Sequence, residues 1–186
     1  MIRFAAALLV SIGLTACSST PPDPSTLQRF QRTAPELQKA TLAARAVAVT
    51  ARAAADAVSR GDVNRARRGA QRLARDAAAL RSSAGRALRV LAPILRAAPS
   101  RLVAAYFRAL SRALSAQSRE GAVVGQEAAL LYADPLLMRG ADVARQGTLD
   151  RAARREAQAS VRMASIAARI RKTHPGAFHY TPVIRG

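Results

Sequence analysis

The chain has 186 residues, half of them apolar, and carries 30 Lys and Arg against 11 Asp and Glu, for a formal charge of +19. It has a single cysteine and no tryptophan, and aromatics make up only 4%. An internal disulfide framework is therefore excluded, and an aromatic stacking platform of the kind that binds nucleic acid is disfavoured. Alanine, the best helix former, supplies about a quarter of the residues, and Pro and Gly fall mostly where helices would start or stop. These features predict an all-α protein.

The N-terminus begins with Met1-Ile2-Arg3 and continues as an uncharged apolar run from Phe4 to Leu14. That run is too short to span a bilayer core of about 30 Å, but it suits the h-region of a secretory signal. It ends in Leu14-Thr15-Ala16-Cys17, which resembles the lipobox of bacterial lipoproteins. The resemblance implies a signal peptide over 1–16, cut before Cys17, with the cysteine carrying a thioether-linked diacylglycerol and the mature protein acylated with fatty acids such as palmitate. It implies nothing about the fold of the mature domain. Ser18 is not the aspartate associated with inner-membrane retention, so the resemblance implies the periplasmic face of an outer membrane where the cell has one. In a single-membrane cell it implies the outer face of the plasma membrane.

Residues 17–32 include Pro21, Pro22 and Pro24 and show no apolar period, so they read as an extended tether. Thr33-Ala34-Pro35-Glu36 has the form of a capping box and predicts a first helix from there to about Arg60, closed by Gly61. Its inward positions are Leu37, Ala44, Ala48, Ala51, Ala55 and Val58. Asp62 is the predicted cap of a second helix running to about Leu91, where Pro93 bends or breaks it. Here Ala66, Ala70, Leu73, Ala77, Leu80, Ala84, Ala87, Leu91 and Ile94 alternate by four and three, a seam suited to coiled-coil-like packing.

Ser100 is the predicted cap of a third helix to about Ala133. It has Val103, Tyr106, Leu110, Ala113, Val124 and Leu131 inside, and Gly121 and Gly125 allow close approach of a neighbouring backbone. Asp134-Pro135 ends this helix and opens a short helical piece through about Arg145. Thr148 is the predicted cap of the last helix, which ends near Thr173 and buries Leu149, Ala152, Ala159, Met163, Ile166 and Ile170. Residues 174–186 read as an irregular tail. The whole predicts an antiparallel bundle of about four long Ala-rich helices over 33–173.

Arg65, Arg68, Arg72, Arg75, Arg86 and Arg89 face away from the second-helix seam, and Arg101, Arg108, Arg112 and Arg119 face away from that of the third. Losing Arg3 with the signal takes the formal charge from +19 to +18, and such a surface attracts polyanions through its field. The candidate polyanion contacts are Arg65, Arg68, Arg72, Arg75, Arg86, Arg89, Arg108 and Arg112. For an exported protein the available polyanions are anionic lipid headgroups, lipopolysaccharide and wall polymers. The stretch Arg101 to Ala116 is a cationic amphipathic helix, able either to lie on a membrane with Tyr106 and Phe107 at the interface or to bury that face in the bundle.

The residue patterns of catalysis are absent. His174 and His179 have no adjacent carboxylate, and there is no Glu-x-x-His pair, phosphate loop, nucleophile elbow or dinucleotide turn. Glu120 and Glu127 share one face of the third helix, and with Gln117 and Glu156 they continue seam positions, where a buried polar contact fixes register. The reading is a lipid-anchored envelope protein with a binding or structural role, no enzymatic activity, no cofactor and no metal. Two rivals stay open: an accessory subunit of an export or assembly machine that holds a protein partner, and a nucleic-acid-binding protein with an accidental lipobox.

Overall fold

The computed structural model describes residues 9–13, 24–96, 98, 101–135, 143–173 and 179–183. Four long helices dominate: α1 (Pro24–Ser59), α2 (Val63–Arg96), α3 (Arg101–Ala133) and α4 (Val143–Thr173). They pack as an antiparallel bundle in which α2 lies against both α1 and α3, and α4 lies against α3. The α1–α2 hairpin turns at Gly61, whose φ of 72° is accessible at little cost only to glycine. There the Asp62 amide donates to the Ala57 carbonyl at 3.0 Å and the Gly61 amide to the Val58 carbonyl at 3.0 Å. This paired arrangement closes the carbonyl end of α1. Asp62 then caps α2 as expected, its carboxylate accepting from the Arg65 amide at 2.9 Å.

The predicted α2 seam is buried at every one of its nine positions, from Ala66 to Ile94. The main core lies toward the α2–α3 connection and draws on all four helices. Leu37 and Ala40 come from α1, Leu91 and Ile94 from α2, Tyr106, Phe107 and Leu110 from α3, and Met163, Ile166 and Ile170 from α4. Tyr106 and Phe107 meet edge to face, with ring centroids 5.7 Å apart. Both are fully buried, so the amphipathic face of Arg101 to Ala116 is a bundle face. Toward the Gly61 turn the core narrows to small residues of three helices, among them Ala44, Ala51 and Ala54, Ala70 and Ala77, and Val124 and Ala128. On α4 the described side chains at 151, 154, 155, 157 and 158 are exposed, and burial starts at Ala159.

Several boundaries differ from expectation. Helix α1 starts at Pro24, so 24–32 is helical where a tether over 17–32 was predicted. The last proline of the run occupies the first helical position, where its missing N–H costs nothing, and no breaker follows until Pro35. Thr33 is consequently an interior helical residue, buried to 1% exposure, and not an N-cap. Pro35 and Pro93 both lie inside helices on exposed positions, where water can reach the carbonyls they leave without a donor. Helix α2 therefore continues to Arg96 rather than stopping near Leu91. Helix α4 starts at Val143, upstream of the predicted Thr148 cap, because one internal glycine costs only about 1 kcal/mol.

Helix α3 buries two faces, adding Phe107, Ala109, Leu114, Ala116 and Ala128 to the predicted seam, while Val103 is half-buried. On α1, Ala48, Ala55 and Val58 are half-buried, and Ala40, Val47, Ala54 and Ala57 are buried instead. The expectation of an irregular tail fails over His179–Val183. These residues form strand β2, which pairs antiparallel with strand β1 (Leu9–Gly13), Leu9 opposite Val183 and Gly13 opposite His179. Both segments are rich in β-branched or aromatic residues, which favour pairing. Cys17, Ser100, His174 and the 136–142 part of the short helical piece lie outside the described residues, as do the side chains of Leu149, Ala152 and Glu156.

Candidate functional site

The antiparallel packing of α3 on α4 leaves a groove whose walls are arginines. Arg112 and Arg119 come from α3, Arg155 and Arg162 from α4, and all four line one cavity of about 640 Å³. Each pair is spaced by seven residues, two helical turns or about 10.5 Å, so both members stay on one face. Ser111 and Ser115 add hydroxyls and Gln158 an amide, over a floor of buried Ala109, Ala116 and Ala159. Small floor residues let the helix surfaces stay close while the long guanidinium arms stand above them. No carboxylate among the described residues lines the cavity. Among the described residues, none of the four arginines is ion-paired. All four are exposed.

A second cavity of about 580 Å³ continues along the same two helices and shares Gln158 and Arg162 with the first. Its character is different. Leu102, Ala105, Val161 and Ile166 line it, and Val161 is left 72% exposed.

The eight arginines singled out from sequence divide between places. Arg65, Arg68 and Arg72 line a separate cavity of about 540 Å³ between α1 and α2, but the capping carboxylate of Asp62 is among its walls. Arg86 is taken up by Glu36, Nε to Oε2 at 3.1 Å, and Lys39 holds the other oxygen of that carboxylate at 2.8 Å. These two hydrogen bonds, Lys39 first, hold the Glu36 carboxyl below its ordinary pKa. Arg75, Arg89 and Arg108 are exposed and line none of the three cavities, and Arg112 belongs to the α3–α4 groove. Of the groove's arginines, sequence reasoning placed Arg119 outward without assigning it a contact, and it missed Arg155 and Arg162. The usable signal was the matched seven-residue spacing of 112/119 and 155/162 on helices predicted to be neighbours.

Glu120 and Glu127 are half-buried and each has a partner, and Gln117 is buried at the seam position expected of it. Among the described residues no three His, Cys, Asp or Glu side chains gather as a metal site, and no described helix is long and apolar enough to cross a membrane. No protein-family model, curated protein or solved structure matches this chain.

Proposed function

We propose that this is a lipid-anchored protein of the bacterial cell envelope whose basic helical bundle binds anionic envelope components, in a binding or structural role without turnover chemistry. The observation that carries the binding half is the α3–α4 groove, where four arginines from two helices converge with no carboxylate among the described lining residues. Guanidinium groups suit phosphate because their planar N–H forks match two of its oxygens at once. The anchoring half rests on Leu14-Thr15-Ala16-Cys17 behind its apolar run. Processing before Cys17 would remove β1 and leave β2 without that strand, so the β1–β2 pairing would belong to the precursor alone.

The test is mass spectrometry of the mature N-terminus combined with membrane fractionation of the native protein and a Cys17→Ala variant. The expected result is an acylated Cys17 and a protein that leaves the membrane fraction in the variant. An unmodified protein that keeps Met1 and stays soluble would overturn the anchoring half. Binding is read separately, by co-sedimentation of the full chain with vesicles of phosphatidylglycerol and phosphatidylcholine. Uptake only by the anionic vesicles is expected, and equal uptake by both would overturn the binding half.

A further inference from the structure

The two adjoining α3–α4 cavities differ in chemistry and share residues. One is walled by Arg112, Arg119, Arg155 and Arg162; its neighbour is lined mainly by Leu102, Ala105, Val161 and Ile166, together with Ser165 and Arg169, and Gln158 and Arg162 are common to both. A hydrophilic polyanion would satisfy the first and leave Val161 in water. A fatty chain without a charge would cover the second and leave four like charges unneutralised. A second copy of this chain docked on the same face would bring two sets of arginines together, and like charges in a low-dielectric contact oppose one another strongly. The occupant that satisfies both is an anion with an apolar chain.

We propose that this groove holds a single anionic phospholipid, its phosphate among the four arginines and the start of one acyl chain along Leu102, Ala105, Val161 and Ile166. The inference rests on the reading that the basic bundle meets anionic envelope components, and it names the class of molecule and the place. Volumes of about 640 and 580 Å³ are each in the range of small-molecule sites. Ser111, Ser115 and Gln158 stand beside the arginines to hydrogen-bond a hydroxylated headgroup. Burying the exposed face of Val161 under a methylene chain supplies the apolar term, and the guanidinium–phosphate pairs supply direction.

The test is calorimetric titration of the full chain, with native mass spectrometry for stoichiometry. The ligands are dihexanoyl-phosphatidylglycerol below its micelle concentration, dihexanoyl-phosphatidylcholine and inorganic phosphate. The variants are Arg112→Gln/Arg119→Gln/Arg155→Gln/Arg162→Gln, Val161→Asn, and Arg45→Gln/Arg52→Gln/Arg67→Gln/Arg96→Gln as a control of equal charge loss at exposed positions outside the cavities. All the altered side chains are exposed, and circular dichroism verifies the helices in each variant. One phosphatidylglycerol per chain is expected, with affinity at least about tenfold lower in the groove variant and unchanged in the control. Val161→Asn should weaken phosphatidylglycerol while leaving inorganic phosphate unaffected. Phosphatidylglycerol bound no tighter than phosphate, or insensitive to Val161→Asn, overturns the phospholipid assignment. Equal losses in groove and control variants place the binding on the diffuse basic surface, which overturns the groove while the envelope-binding reading stands. Failure of the wild-type chain to bind any lipid here, while it still sediments with anionic vesicles, overturns the groove in the same way.

Discussion

Gly121 lies where α3 comes closest to α2. A Cβ at this position would stand 2.8 Å from the Ala77 carbonyl oxygen and 3.0 Å from the Arg81 amide nitrogen, both backbone atoms of a packed helix. Neither can rotate out of the way, so Gly121→Ala must push the two helices apart. Alanine gains about 1 kcal/mol of helix propensity over glycine, but overpacking costs typically 1–3 kcal/mol. A net loss of up to about 2 kcal/mol is expected, read as a lower urea midpoint. Gly85 is the control, because a Cβ there meets only the far end of Arg89, 4.0 Å away. Gly85→Ala should stabilise by about 0.5–1 kcal/mol. Equal effects at the two sites would mean that α2 and α3 are not in close contact at Gly121.

A second prediction at this scale concerns Glu36, the acidic partner of Arg86 across the α1–α2 interface. Its folded pKa is depressed, chiefly by the hydrogen bond from Lys39 and then that from Arg86. A carboxylate of this kind stabilises above its unfolded pKa, about 4.3, and the contribution disappears as pH falls through the lower folded value. Glu36→Gln should therefore lower the melting temperature at about pH 6, and the gap from wild type should narrow as pH falls below the ordinary carboxylate range. Lys39 and Arg86 are exposed and Glu36 is half-buried, so the effect is small and should shrink in salt. A gap that is constant with pH would show that the residue matters through packing alone.

At the scale of the element, the helices differ in how openly the sequence displays them. Helix α2 has nine exposed arginines and nine buried seam positions, so its face is written in a single four-three alternation. Helix α3 has two neighbours and buries Tyr106 and Phe107 side by side, which blurs any single period. One-partner reasoning recovers half of such a face. Prolines misled in the same direction twice, since a proline on the solvent side of a long helix loses one hydrogen bond without ending the element. Pro93→Ala should accordingly stabilise by about 1–2 kcal/mol, less than the full propensity difference because proline also restrains the unfolded chain. The candidate groove was the least legible feature. Arg112 and Arg119 are visible on one helix and Arg155 and Arg162 on another, but their convergence depends on which faces of α3 and α4 meet.

Helix α4 carries an expectation of its own. Its described side chains are all exposed from Arg151 to Gln158, while from Ala159 onward one face is buried, where Met163, Ala167 and Ile170 reach the main core. Local opening follows the density of buried apolar contacts. Backbone amides before Gln158 should exchange with solvent well ahead of those between Met163 and Ile170 in native-state hydrogen exchange. Uniform protection along the helix would mean that its first half has a packing partner of its own.

For the whole molecule, a formal charge of +19 implies self-repulsion that opposes compactness, relieved only in places by pairs such as Glu36 with Arg86 and Lys39. Screening and specific anion binding both relieve it, and they differ in how they depend on valence and concentration. Raising monovalent salt from about 0.01 M to about 0.15 M shortens the screening length from about 30 Å to about 8 Å, so the melting temperature should rise with ionic strength. If the α3–α4 groove is an anion site, a phosphorylated ligand at fixed ionic strength should add a further rise that saturates, following the logarithm of one plus ligand concentration over Kd. At a hundredfold excess over Kd that increment is about 2.7 kcal/mol. Replacing Arg112, Arg119, Arg155 and Arg162 with glutamine should abolish the saturating part and leave the screening part, because four charges are a minority of the surplus. It should also raise the baseline melting temperature at low salt, since four unpaired like charges have been removed from one face. A variant that loses baseline stability instead would mean that these arginines hold the helices together, and the groove would then be a structural contact rather than a vacancy for a ligand.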